Sequence, residues 1–166
     1  SGSNVRLNLS NDEFLVFANK TVDQFTAGQF DLALDRSHLK STFSEDFNKL
    51  DLWNGSSGTW DSNFWWGGAN GSTLTRNNEL QWYIDTNYAP TSSVNPFSVE
   101  NGVLTITAAR APDAIKPYIN NYQYTSGLLT TYHSFAQTYG YFEIRADMPE
   151  KQGAWPAFWL LPADKS

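Results

Sequence analysis

Trp155 and Trp159 stand four residues apart in the run AWPAFWLL, and Glu143 and Arg145 stand two apart in YFEIRAD just upstream. If both runs are β-strands, alternation puts Trp155, Ala157 and Trp159 on one face of the second and Pro156, Phe158 and Leu160 on the other. In Gly140–Met148 the same rule separates Phe142, Ile144, Ala146 and Met148 from Tyr141, Glu143, Arg145 and Asp147, which reads as a strand with one buried and one polar face. PEKQG supplies the turn between them. Flat indoles with an N–H at the rim, beside a carboxylate and a guanidinium, suit the apolar face and hydroxyl edge of a sugar ring. A plainer reading lets the indoles fill a core and lets Glu143 and Arg145 pair at the surface. Rings on both faces of the second strand need a reason beyond packing, and they favour the platform.

Two further residues could contact the same ligand. Asn70 precedes Gly71 at the end of a loop, 54–72, rich in Gly, Asn, Ser and Trp. Its amide offers both donor and acceptor, although Asn-Gly is also a common turn pair. His133, in TTYHSF, could orient a carboxylate or hydroxyl, or serve only structure. Trp53, Trp60, Phe64, Trp65 and Trp66 would be costly to expose, so they must pack or rim a groove.

Short strands have to position these groups. Leu80–Ile84 and Val103–Ala108 are rich in β-branched and aromatic residues, and Asn101-Gly102 marks a hairpin turn between Phe97–Glu100 and Val103–Ala108. Thr42–Phe47 reads as the first strand of the main domain. No 3.6-residue periodicity is sustained, so the fold class is all-β, an antiparallel β-sandwich. Near the N-terminus Val5, Leu7 and Leu9 alternate with polar residues, and a turn then leads to a second apolar run, EFLVFANKTVD. This gives residues 1–40 as a hairpin appendage with a polar link over Gln29–Lys40, and 41–166 as the main domain.

Composition excludes several classes. Seven Trp, eight Tyr and eleven Phe in 166 residues exceed the needs of a core and leave rings for a cleft. A formal charge of −6 argues against nucleic acid. With no Cys and only two His, disulfides, thiolate sites and zinc are out, and a metal would be a hard cation on oxygen ligands, which points to calcium. No apolar run is long enough to span a bilayer as a helix, so no membrane is expected as partner.

The run SGLLTTYHSFAQTYGYFEIRADMPEKQGAWPAFWLLPAD, with NNELQWY and FSVENGVLTITA before it in matching order and spacing, resembles glycoside hydrolase family 16, the β-glucanase and laminarinase family. That resemblance, over Ser41–Ser166, implies a jelly-roll, concanavalin A-like fold. It implies a secreted bacterial endo-β-glucanase acting with retention on β-1,3-1,4 or β-1,3 glucan or a succinoglycan-like polymer. The family's catalytic Glu-x-Asp-x-Glu strand follows the Trp-Pro-Ala-Phe-Trp run, so the resemblance places the carboxylates beyond Ser166. It thus expects an incomplete sheet here, closed by a further segment or a second chain, and no activity from these residues alone. Glu143 matches a supporting strand and is no catalytic candidate. The resemblance adds sugar contacts at Trp155, Trp159 and Asn70, no required cofactor, and a structural calcium near Glu45 and the Gly102 carbonyl. Where many members carry a charged sugar contact this chain has Leu128, which bears on linkage preference. EFLVFANKTVD resembles the closing segment of bacterial calcium-binding repeat proteins exported without a cleaved signal.

Two other classes compete. A non-catalytic carbohydrate-binding module needs the aromatic platform alone, and a structural sandwich would bury its rings and bind no glucan.

Overall fold

A computed structural model describes residues 5–8, 14–18, 21–24 and 36–163 and divides the chain into two units, Ser1–Thr42 and Phe43–Ser166. In the first, β1 (Val5–Asn8) pairs antiparallel with β2 (Phe14–Phe17), Val5 opposite Phe17 and Leu7 opposite Leu15. The turn expected between these strands and most of the expected link, residues 29–35, lie outside the described residues. A 3₁₀ turn, Val22–Gln24, is closed by the Thr21 N–H donating to Gln24 Oε1 at 3.0 Å.

The second unit is built on a three-stranded sheet of order β3-β7-β6, with β3 at Gln81–Tyr83, β6 at Ala109–Arg110 and β7 at Tyr124–Ser126. β6 runs antiparallel to β7, but β3 runs parallel to it, Trp82 opposite Thr125. The sequence led us to expect antiparallel pairs throughout. A parallel neighbour needs a long crossover, and the chain between β3 and β7 supplies one instead of a tight hairpin. That crossover carries the core: Ile84, Ala111, Ile115 and Ile119 pack with Trp82 beneath Val94 and Tyr122. Ile84 and Ile119 are wholly buried, each stabilising the fold by about 1.5–3 kcal/mol on the usual transfer scale.

β4 (Phe97–Glu100) and β5 (Val103–Ile106) form the expected hairpin. Asn101 and Gly102 both take positive φ, 52° and 74°, the pair of left-handed residues that a two-residue turn between twisted strands requires. The hairpin lies against Gly127, where an added Cβ would come within 2.5 Å of the Phe97 ring.

Three expected strands do not form. Over 42–47 the chain is irregular: Glu45 Oε1 accepts from the Phe47 N–H at 2.8 Å and Phe47 turns to φ 49°, while Phe43 and Phe47 both pack on the Trp60 ring. Residues 140–150 and 154–163 carry no ladder either, although the turn between them is present, Ala154 N–H donating to Lys151 O at 3.0 Å. Alternation had assigned Gly140–Met148 a buried face, yet Ile144 and Met148 are exposed and only Phe142 is half-buried. A strand exists through its neighbour's N–H and C=O groups, and among the described residues no segment offers them here. All regular structure among the described residues is β-strand or 3₁₀ turn, and none of it is a helix long and apolar enough to cross a membrane.

If the crossover cluster is the core of the second unit, Ile84→Ala should cost about 2–5 kcal/mol in urea unfolding. Val103→Ala, on a side chain 60% exposed, should change stability by no more than about 0.5 kcal/mol.

Candidate functional site

The Trp-rich loop closes on the amide of Asn63. Nδ2 donates to Gly68 O at 2.8 Å and to Asp85 Oδ2 at 2.9 Å, while Oδ1 accepts from Ser72 Oγ at 3.1 Å. Ser62 Oγ meets Thr86 Oγ1 at 2.9 Å beside it. Ser62, Asn63 and Ser72 are buried, so the Ser72–Asn63 bond is made away from water, where losing a partner is most costly, and the other bonds are partly shielded. Gly67 passes so close that a Cβ there would overlap Asn63 Oδ1, and its N–H closes a tight turn onto Phe64 O at 2.8 Å. Polar side chains and the buried Phe64 ring thus occupy the inside of the loop, and Trp65 and Trp66 lie on the outside.

Those rings form one connected run. Phe64 stacks on Trp66, centroids 4.4 Å apart and planes 8° apart, and Trp66 meets Trp65 edge-on at 4.2 Å. Trp65 stacks on Tyr132 at 4.7 Å, Tyr132 meets the His133 ring at 5.0 Å, and His133 stacks on Trp53 at 4.7 Å. At the other end Phe64 touches Trp159 edge-on at 6.2 Å. Trp65, Trp66 and Trp159 stay 36%, 48% and 51% exposed, so the run presents indoles to solvent. A surface of this kind offers apolar faces for stacking and N–H groups at its rim.

Charge sits at the His133 end. Nε2 of His133 lies 3.2 Å from Asp61 Oδ2, and Asp61 is fixed by a two-bond backbone bridge to Thr130. Burial pushes the Asp61 carboxyl above its ordinary value. The Asn63 N–H and the His133 charge pull it part of the way back, and nearby Asp85 opposes them. A carboxylate held against its preference in this way is a functional candidate.

The structure brings some sequence-predicted residues together and leaves others apart. Trp159 joins the ring run, whereas Trp155 is 75% exposed and makes no ring contact among the described residues. His133 lies within the run, bonded to Asp61. Asn70 spends its Nδ2 on Tyr118 O at 2.8 Å, and its own carbonyl accepts from Trp82 Nε1 at 2.7 Å, so it joins two loops. Glu143 and Arg145 are exposed on the irregular segment. Sequence reasoning missed Asp61 and the linking role of Asn63. The signal was Asp61-Ser62-Asn63 directly before Phe-Trp-Trp, side chains that bond their own backbone and so set up a loop.

Glu45 and Gly102 do not by themselves make a calcium site. The Glu45 carboxylate accepts from Phe47 N–H and, at 2.9 Å, from Trp60 Nε1, while the carbonyl that comes close to Gly102 is that of Asp46. One carboxylate and a few carbonyls fall short of six oxygens, and no group of three metal-binding side chains occurs among the described residues.

An all-β scaffold presenting exposed indoles beside buried polar anchors has the kind of surface that can stack on sugar rings. The profile of Glycosyl hydrolases family 16 matches residues 84–166, and the chain belongs to that family. It is 65% identical over 165 residues to the endo-1,3-1,4-beta-glycanase ExsH of Rhizobium meliloti, covering 99% of this chain and 36% of that protein. It is 63% identical over 163 residues to the endo-1,3-1,4-beta-glycanase EglC of the same organism, covering 98% and 35%. Similarity to a beta-glucanase of Rhodothermus marinus is 38% over 86 residues, 52% of this chain and 26% of that one. The chain therefore spans about a third of the length of the first two relatives. No solved structure matches it.

Because the folded-state pKa of Asp61 lies above its ordinary 3.8, its carboxyl favours folding while protonated and loses that contribution as pH rises through the folded value. Asp61→Asn should therefore raise the melting temperature slightly at neutral pH, with the gain disappearing near pH 3. Melts across that range check the sign. A loss of stability at neutral pH would mean that the His133 pair outweighs burial.

Proposed function

We propose that the protein carrying this chain is a secreted bacterial endo-β-glucanase, cleaving mixed-linkage β-1,3-1,4 glucan, β-1,3 glucan or a succinoglycan-like polymer with retention. The observation that carries this reading is the ring run from Trp53 to Trp159, in which Trp65, Trp66 and Trp159 are exposed, in a chain whose relatives are named for endo-1,3-1,4-beta-glycanase activity. In this reading Trp65, Trp66 and Trp159 stack on successive sugars, while Asp61 and His133 supply polar contact at one end. Retention calls for two carboxyl groups about 5 Å apart, one nucleophile and one acid/base. The family pattern puts them on a strand following the Trp155–Trp159 run, so this chain contributes binding surface and no catalytic residue. Export fits an enzyme whose polymeric substrate lies outside the cell.

The intact protein should release reducing ends from lichenan or laminarin and lower their viscosity early, while the 166 residues alone should release none. Glucan binding without any release by the intact protein would replace the enzyme with a binding module. Trp66→Ala and Trp159→Ala should each weaken oligosaccharide binding by about 1–3 kcal/mol with little change in melting temperature. Trp82→Ala, in the core, should instead cost about 3–5 kcal/mol of stability. Calorimetric titration beside thermal melts separates the two behaviours, and a large stability loss with unchanged affinity at Trp66 and Trp159 would remove the platform.

A further inference from the structure

Three consecutive residues soon after β3 each hold a different point of the segment 53–63. Asp85 Oδ2 accepts from Asn63 Nδ2, the Thr86 N–H donates to Ser62 Oγ, and Asn87 Nδ2 donates to Trp53 O, each at 2.9 Å. Asp85 also ties its own segment together, since its Oδ1 accepts from the Asn87 N–H at 2.8 Å. One carboxylate therefore serves both sides of a clamp. Through Oδ2 it holds the amide that closes the Trp-rich loop, and through Oδ1 it holds the residue whose side chain reaches Trp53. The clamp stands on a firm base, because the preceding residue, Ile84, is wholly buried and its N–H donates to Ser126 O at 3.1 Å.

The two points held lie in different parts of the ring run. Asn63 directly precedes Phe64, Trp65 and Trp66, whereas Trp53 ends the run at its stack on His133. Between them the run continues through ring contacts, Trp65 on Tyr132, Tyr132 against His133 and His133 on Trp53. Ring contacts tolerate a range of offsets, while hydrogen bonds are short and directional, so the bonds and not the stacks fix the spacing. A carboxylate suits this place because both of its oxygens accept, and an amide there would turn a donor toward one of the two donors it must receive. We propose that Asp85 is a positioning residue for glucan binding: acting through Asn63 and Asn87, it sets the separation between the Trp65 and Trp66 indoles and the Trp53 and His133 end of the run, and with it the length of oligosaccharide that engages both at once. This rests on the reading of the protein as a glucan hydrolase.

The test uses the intact protein, its Asp85→Asn and Asn87→Ala variants and the double variant, in calorimetric titrations with neutral β-glucan oligosaccharides of two to six units and in lichenan hydrolysis. Asn87 is exposed, and Asn87→Ala removes only the bond to Trp53 while keeping the N–H that Asp85 accepts, so it remains a folded test if Asp85→Asn does not fold. Affinity for the hexasaccharide should fall by about tenfold in Asp85→Asn and about threefold in Asn87→Ala, with disaccharide affinity unchanged. KM for lichenan should rise by similar factors while kcat is kept, whereas a merely structural role would lower kcat through the folded fraction and leave KM alone. Because both substitutions break one clamp, the double variant should lose less than the product of the single losses. Wild-type binding that increases with length, with affinity and KM unchanged in Asn87→Ala or lowered equally at every length, overturns the positioning role alone. A wild-type protein that binds none of the oligosaccharides overturns the function and the positioning role together.

Discussion

A buried side-chain amide holds the site. Asn63 satisfies Gly68 O, Asp85 and Ser72 at once, and each of those bonds fixes a different part of the molecule relative to the Trp-rich loop. Gly68 closes the loop on itself, Asp85 lies just past β3, and Ser72 pairs with Tyr83 of β3 through a backbone bridge. With the amide removed, the buried Ser72 hydroxyl would lose its acceptor, while Gly68 O would keep only the Gly71 N–H and the Asp85 carboxylate only the Asn87 N–H. The outward orientation of Trp65 and Trp66 follows from that closure, because polar atoms and the buried Phe64 ring fill the inner space and the two indoles are left the outside.

Keeping indoles at the surface runs against the hydrophobic effect, and the fold limits the loss by stacking them on one another. Phe64 against Trp66 and Tyr132 against Trp65 each cover one face of an indole, and the two indoles meet edge to face, while both stay partly open to solvent. This arrangement fixes the rings before a sugar arrives, so less side-chain freedom is lost on binding. Asp61 shows a related compromise. Burial raises the pKa of its carboxyl while His133 Nε2, 3.2 Å away, and the Asn63 N–H oppose the rise, a conflict of the kind that accompanies functional positions.

The sequence made the hairpin legible, because Asn101-Gly102 has a single common conformational use and its strands supply their own partners. Alternation over Gly140–Met148 was equally regular, yet alternation reports only which faces a strand would have and says nothing of a neighbour to pair with. The parallel β3–β7 pair was hidden for a similar reason, since its register depends on two segments separated by the whole crossover. Within the site, ring-bearing residues could be picked out by type, whereas Asn63 and Asp61 look like ordinary loop residues until their partners at Asp85, Ser72 and His133 are known. Asn70 was noticed for its amide, but the amide's use, a bond to Tyr118 O, like the bond its backbone carbonyl accepts from Trp82 Nε1, is long-range and leaves no mark in local sequence.

Central to this account is that ligand contacts the exposed ring run while the half-buried indoles stay structural. Indole N–H resonances of the intact protein, followed by NMR during titration with a neutral β-glucan oligosaccharide, report on each ring separately. The account predicts progressive shifts for Trp65, Trp66 and Trp159, and a stationary resonance for Trp60, whose Nε1 is bonded to Glu45. Saturable binding that moves Trp60 and leaves Trp66 and Trp159 unchanged would contradict it.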